Sequence, residues 1–208
     1  MLLNSLYIYF KWFSILYIVY LGFPKQGKLN PVMSILSGSV SVTRYKVQGK
    51  IKAPITENIA NGLTANTIAE IDNQISDKAI GWTSFDKPFQ PNFEGSSFVY
   101  GSYFVFSLRI DKKNITPKVL KKHYTIEAAN RMAENGREYL SKTEKKLVKD
   151  HVINRLSLRI PATPNVYDLI WNHDDSVVWF FSNLKAANEE LETLFAKSFS
   201  LSLIRLFP

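Results

Sequence analysis

Short runs in which apolar and polar residues alternate predict the β-strands of this chain. In Ser39–Val47 polar residues separate Val40, Val42, Tyr45 and Val47, as in a half-buried strand. The strongest strand pattern is Phe98–Ile110, which is dense in Phe, Tyr and Val and partly apolar on both faces. Such a pattern is typical of a strand inside the sheet or at a subunit contact. Further strands are predicted at Ala79–Phe85, at Val166–Trp171 and Val177–Phe181 (a hairpin around Asn172–Asp175), and at Leu201–Phe207.

Apolar residues at helical spacing predict a helix near each end of the patterned region. The first covers Pro54–Ile71, although Gly62 weakens it because glycine is a poor helix former. The last begins at Ser182 or Asn183 and ends near Phe199. Its apolar face contains Leu184, Ala187, Leu191, Leu194 and Phe195.

Between these elements, capping signals predict two consecutive helices. Thr116-Pro117 provides an N-cap residue and a first-turn proline, and this helix continues to Glu134 and stops at Asn135-Gly136. Ser141 and the glutamate three residues later match the capping-box pattern S-x-x-E. The second helix continues to about Arg159, before a proline.

The second of these helices changes character along its length. Its first two turns carry lysines along one side, and its later turns carry an apolar stripe: Lys142, Lys145, Lys146 and Lys149, then Val148, Val152 and Leu156. The pattern indicates a helix whose C-terminal end packs in the core while its basic start projects. The sequence therefore predicts an α+β fold with a mixed or antiparallel sheet, packed helices and a projecting basic helical pair.

The charge distribution makes this helical segment the main functional candidate. The net charge is +8, and Lys112–Arg159 holds thirteen basic residues against five acidic ones, so the rest of the chain is neutral. Clustered positive charge is typical of a surface for nucleic acid, an anionic membrane or an acidic protein. A solvated charged helix face is the alternative, although most of the lysines lack an acid four residues away.

Duplex DNA, contacted through its phosphates, is the partner that the composition of segment 112–160 favours. Aromatic residues for base stacking are few there, namely Tyr124 and Tyr139, whereas single-strand binders interleave aromatic and basic residues. No helix-turn-helix, zinc-finger or RNA-recognition signature indicates base readout. The predicted DNA-binding residues are Lys112, Lys113, Lys118, Lys121, Lys122, Arg131, Arg137, Lys142, Lys145, Lys146, Lys149, Arg155 and Arg159.

Residues 1–32 form a separate hydrophobic extension. Leu2–Phe23 is long enough to span a bilayer, and Lys25 and Lys28 would keep its following end cytoplasmic. A start codon assigned too early is the favoured explanation, since Met33 directly precedes the first strand pattern. A membrane anchor is the alternative. The expected globular domain is 33–208.

Several kinds of chemistry find no support in the sequence. There are no cysteines, which excludes disulfide scaffolds and thiolate metal sites. There are only three histidines, which leaves little for a histidine-based metal site. Neither phosphate-binding glycine loop occurs, nor do the H-E-x-x-H and G-x-S-x-G motifs. A metal-dependent nuclease would need Asp168, Asp174 and Asp175 with His173 between them, but Asp174-Asp175 is better explained by a tight turn. We therefore expect no catalytic residues, metal or cofactor.

A set of short motifs resembles the RdgC family of recombination-associated proteins. They are carried, in order, by Ser37–Tyr45 after Met33, Gly81-Trp82, Ser107–Lys113, Pro117–Lys122, Lys142–Lys145 with Lys149-Asp150 and Val152, Lys185–Ala187, and Leu206–Pro208. The resemblance covers nearly all of 33–208, and the order and spacing of the motifs carry it.

The resemblance implies a cytoplasmic, nucleoid-associated homodimer that binds DNA without sequence specificity. Family members form ring-like dimers around duplex DNA and limit the access of the RecA recombinase to it. By position, the phosphate contacts would fall on Lys118, Lys121, Lys122, Lys142, Lys145, Lys149 and Arg159. Longer members continue past the position of Pro208, and their additional half helps to build the ring, so ring closure is not implied for this chain.

Overall fold

The computed structural model describes residues 40–207, and the hydrophobic run Leu2–Phe23 lies outside them. Within this part, four helices and seven strands form an α+β fold, which confirms the predicted class. The strands are β1 (Thr43–Gln48), β2 (Lys78–Thr83), β3 (Val99–Tyr100), β4 (Tyr103–Lys112), β5 (Thr163–Asn172), β6 (Val177–Phe180) and β7 (Ser202–Leu206). The helices are α1 (Ile55–Ala65), α2 (Pro117–Glu134), α3 (Lys142–Ser157) and α4 (Lys185–Phe199).

The strands form one sheet in the order β2-β4-β5-β6-β1-β7, with β3 paired to β4. Strands β1 and β6, β1 and β7, β3 and β4, and β5 and β6 pair antiparallel. In β1 the residues Thr43, Tyr45 and Val47 are buried while the residues between them are exposed. Tyr45 and Val47 are thus buried as predicted, on one face of the strand. The other two predicted apolar residues, Val40 and Val42, are half-buried and precede β1, so the strand begins later than the pattern predicts.

The prediction of one continuous strand over Phe98–Ile110 is wrong. The segment forms β3 and the first part of β4, with Tyr100 paired to Tyr103 across the two-residue turn Gly101-Ser102. Gly101 has a φ of +63°, a conformation that glycine adopts without steric cost and that tight hairpin turns require. Aromatic residues on both sides of the turn obscure it in the hydrophobic pattern.

Helix α1 is shorter than predicted, because it ends at Ala65 rather than at Ile71. The side chains of Asn66 and Thr67 donate to the carbonyls of Gly62 and Leu63, at 3.0 and 3.1 Å. These bonds satisfy acceptors at the end of the helix. Ile71 is buried outside the helix, so its helical spacing reflects burial and not helical structure.

Helix α4 begins later than predicted. Its N-cap residue is Leu184, which has no side-chain cap, while Ser182 Oγ accepts a hydrogen bond from the Leu184 amide at 3.2 Å. Leu184 is 55% exposed, so its assignment to the apolar face is wrong. The remaining predicted residues of that face are buried: Ala187, Leu191, Leu194 and Phe195.

The chain folds as two compact units, of which one comprises residues 40–67, 82–108 and 166–207. An aromatic cluster forms much of its core, with Phe195 and Phe199 of α4 packed 4.9 and 5.3 Å from Trp171, measured between ring centroids. On the neighbouring positions of β4 and β5, Val105 and Ile170 pack in a second cluster. Both faces of these strands are therefore covered, as the apolar pattern of β4 predicts.

Gly62 accounts for the close approach of α1 to α4 within this unit. A Cβ atom on Gly62 would lie 2.6 Å from the carbonyl oxygen of Ser198 and 2.7 Å from the Phe199 ring. A backbone atom at that distance cannot give way easily. The glycine that weakens the helical pattern is thus required by packing.

The other unit comprises Ile68–Gly81 and Arg109–Asn165. It contains α2, α3 and the connection 135–141 between them, which together we call the basic helix pair. It also contains all thirteen basic residues of the segment Lys112–Arg159.

Candidate nucleic-acid interface

Helix α2 has the boundaries that its capping signals predict. Thr116 Oγ1 accepts a hydrogen bond from the amide of Val119 at 3.4 Å, and Pro117 is the first helical residue. The helix ends at Glu134, and Gly136 then adopts a φ of +60°. The chain thereby leaves the helix at a residue that tolerates the left-handed region.

Helix α3 begins with the predicted capping box. Ser141 Oγ accepts from the Glu144 amide at 3.3 Å, and the Glu144 carboxylate accepts from the Ser141 amide at 2.9 Å. The hydrogen bond from the Ser141 backbone holds the pKa of the Glu144 carboxyl below its ordinary value, and Arg137 acts in the same direction. The start of the lysine-bearing helix is therefore fixed by its own sequence.

A small apolar cluster joins the two helices. Ala128 of α2 and Val148 of α3 are buried in it together with Leu140 of the connection, and Tyr124 and Met132 pack against them. Further along α3, Val152 and Leu156 are also buried, which confirms the predicted apolar stripe. The cluster leaves the opposite sides of both helices free to carry charge.

Two ion pairs add to this packing. Arg155 of α3 lies 3.1 Å from the Glu127 carboxylate of α2, and Arg137 of the connection lies 3.1 Å from Glu144. Both arginines belong to the predicted DNA-binding set. Arg155 is half-buried, so its main role in the structure is the contact between α2 and α3.

Eleven of the thirteen predicted DNA-binding residues are exposed. They are Lys112, Lys118, Lys121, Lys122, Arg131, Arg137, Lys142, Lys145, Lys146, Lys149 and Arg159. The first turns of α2 and α3 carry lysines at matching spacings, i, i+3 and i+4. Within residues 40–207 none of the lysines in this set lies within 4 Å of a carboxylate oxygen. Their charge is therefore available to an anionic partner.

Besides the half-buried Arg155, Lys113 is the other residue of the set that is not exposed, and its assignment to the DNA-binding set is wrong. Its side chain is buried, and Nζ donates to the carbonyls of Asp72, Gln74 and Ser157 at 3.0, 2.7 and 2.6 Å. All three donors of the ammonium group have an acceptor. A lysine held in this way connects the loop after α1 to the end of α3, and it cannot reach a phosphate.

A buried ion pair between Arg109 and Asp111 lies on β4 and was not identified from the sequence. Arg109 donates to both carboxylate oxygens of Asp111, at 2.8 and 2.6 Å, and also lies 2.9 Å from Glu70. Burial lowers the pKa of Arg109, but the hydrogen bonds and charges of Asp111 and Glu70 outweigh it and raise the pKa overall. The available signal was the spacing of Arg109, Asp111 and Lys113, since every second residue of a strand faces the same side.

The carboxylates of the alternative nuclease site have other roles. Asp168 is 1% exposed and accepts from Ser107 Oγ at 2.9 Å. Asp174 and Asp175 lie in the turn 173–176 between β5 and β6, where the Asp175 amide donates to Asn172 Oδ1 at 2.9 Å. This confirms the turn interpretation. In residues 40–207 no group of three or more His, Asp or Glu side chains is arranged to hold a metal ion.

The helices described in residues 40–207 are too short or too polar to cross a bilayer. No protein-family model matches the sequence, and no characterised protein is significantly similar to it. The resemblance to the RdgC family therefore rests on its short motifs alone.

Proposed function

We propose that this protein binds duplex DNA without sequence specificity through the basic helix pair, and that the bound protein limits the access of a recombinase to the DNA. The observation that supports the proposal most directly is the exposure of eleven basic side chains in and around α2 and α3. A regular row of cations matches a partner with closely spaced negative charges, and duplex DNA carries one charge about every 1.7 Å along its axis.

The spacing of the lysines favours phosphate contacts over base readout. Lys142, Lys145 and Lys149 follow one side of α3 over two turns, and Lys118 and Lys121 begin a similar row on α2. Lysine ammonium groups act as point charges and carry little geometric specificity. Phosphate contacts position a protein on DNA without reading its sequence.

The second part of the proposal, the effect on a recombinase, is supported by the RdgC-like motifs. A protein bound all along a duplex occupies the phosphates that a growing recombinase filament also needs. No enzymatic step is required for this effect. The nucleoid association and the homodimer implied by the resemblance remain predictions.

Charge reversal on α3 tests the DNA-binding proposal. The full chain is titrated onto two labelled duplexes of unrelated sequence, and binding is followed by fluorescence anisotropy. We expect equal affinity for both duplexes. The triple variant Lys142→Glu, Lys145→Glu and Lys149→Glu should weaken binding to both by about 100-fold or more, since several phosphate contacts are lost and replaced by repulsion.

A second triple variant controls for total charge. Lys52→Glu, Lys87→Glu and Lys197→Glu change the net charge by the same amount at exposed positions outside the basic helix pair. This variant should retain most of the affinity. Equal losses in the two variants, or an unchanged affinity in the first, would contradict the assignment to α3.

A further inference from the structure

Tyr139, in the connection between α2 and α3, is the most exposed aromatic residue of the basic helix pair. Its side chain is 77% exposed. The other aromatic residue of the pair, Tyr124, packs against the apolar cluster between the helices. One aromatic ring is therefore presented to solvent at the end of the pair where α3 begins.

The neighbours of Tyr139 in the chain are firmly held. Leu140 is buried in the cluster between the helices, and Ser141 is fixed by the capping box. On the other side, the ion pair between Arg137 and Glu144 ties the connection to the first turn of α3. The ring therefore projects from a backbone that is already ordered. Binding a ligand there costs little conformational entropy of the chain.

Exposed charged residues flank Tyr139 in the chain, which favours a nucleic-acid ligand over a protein one. Arg137 precedes Tyr139 by two residues and Lys142 follows by three, and both are exposed. The centres of protein interfaces are instead depleted in charge. An aromatic ring combined with nearby cations is the arrangement that binds a nucleobase by stacking and its phosphate by charge. The adjacent acid Glu138 is also exposed, and its negative charge offsets part of the positive charge of Arg137 and Lys142.

A base inside an intact duplex cannot stack on a side chain unless it leaves the helix. An unpaired base next to a duplex can do so at little cost, because its stacking on neighbouring bases is incomplete. We propose that Tyr139 stacks on an unpaired base where a duplex meets a single strand, while the lysines of α2 and α3 contact the duplex phosphates. This inference rests on the proposed DNA binding and specifies which DNA form is preferred.

Two probes that differ only in an unpaired tail test the inference. One is a blunt duplex, and the other is the same duplex with a short single-stranded tail in which the first unpaired base is 2-aminopurine. The full chain should bind the tailed probe roughly tenfold more tightly, the lower part of the range measured for stacking on an aromatic residue. The fluorescence of 2-aminopurine should change on binding.

Three variants assign the effect to the ring. Tyr139→Ala should lose the preference for the tail and the 2-aminopurine signal while its affinity for the blunt duplex is unchanged, and Tyr139→Phe should retain both. Phe207→Ala removes an equally exposed aromatic side chain, 78% exposed, outside the basic helix pair and should have no effect.

The outcomes separate this inference from the proposed function. Equal binding of the wild-type chain to both probes, or a tail preference that survives in Tyr139→Ala, would refute the stacking role alone. No binding to either probe at low salt would refute the proposed function together with it.

Discussion

Burying a lysine is costly, because its ammonium group must give up the water that solvates it. Three hydrogen bonds from Lys113 to backbone carbonyls, all within one compact unit, offset this desolvation cost. Its neighbour Lys112 is exposed. Two adjacent lysines therefore have different roles: Lys112 ends β4 at the surface, and Lys113, the next residue, is buried.

Removing the Lys113 ammonium should destabilise the fold without directly removing a phosphate contact. Lys113→Met keeps the aliphatic part of the side chain but leaves the carbonyls of Asp72, Gln74 and Ser157 without that donor. We expect the free energy of unfolding to fall by about 2 kcal/mol or more, measured by urea denaturation. Lys112→Met is the matched control and should change it by less than about 0.5 kcal/mol. Similar values for the two variants would contradict the structural role of Lys113.

At the scale of the element, the start of α3 combines a local cap with a titratable group. The pKa of Glu144 is lower in the folded chain than its ordinary value near 4.5. A carboxyl of this kind stabilises the fold above its unfolded-state pKa, and the contribution is lost as the pH falls through the lower, folded-state value.

Glu144→Gln should therefore destabilise the chain at neutral pH, and the difference from the wild type should shrink in acid, below both pKa values. Denaturation curves recorded over a pH series measure this difference. Glu138→Gln, at an exposed position of the same connection, is the control and should change the free energy of unfolding at neutral pH by less than about 0.5 kcal/mol. If Glu144→Gln is less stable than the wild type by the same amount at every pH, the ionised carboxylate is not the cause of the difference.

At the scale of the whole molecule, charge is the property that links the sequence to the proposed function. The unit formed by Ile68–Gly81 and Arg109–Asn165 holds fifteen basic residues against nine acidic ones. Eleven of those basic residues are exposed members of the predicted DNA-binding set. Binding by such a surface releases counterions from the DNA, so its affinity depends on the salt concentration.

Neutralising the lysines of α2 should reduce this salt dependence. For Lys118→Gln, Lys121→Gln and Lys122→Gln together, the slope of log affinity against log salt should become shallower by up to about 3, roughly 0.9 for each lost phosphate contact. Anisotropy titrations between about 50 and 200 mM salt give the slope. If the wild-type slope persists in this variant, α2 does not contact the phosphates. The triple glutamine variant at Lys52, Lys87 and Lys197 serves as the control.

Local sequence determined much of this protein. The two helices of the basic pair begin where Thr116 and Ser141 predict, since a cap depends on residues within one turn. The apolar stripe of α3 follows equally from local periodicity. The concentration of positive charge in one segment needs no structure at all.

Tertiary structure decided the features that depend on distant partners. Gly62 of α1 is required by the close approach of Ser198 and Phe199 at the end of α4, far away in the sequence. Lys113 faces the carbonyl of Ser157, 44 residues away in the chain, a contact that no local pattern encodes. Composition and periodicity are sums over neighbours in sequence, whereas burial is decided by neighbours in space. That physical difference explains why the sequence identified the basic surface and only the fold removed Lys113 from it.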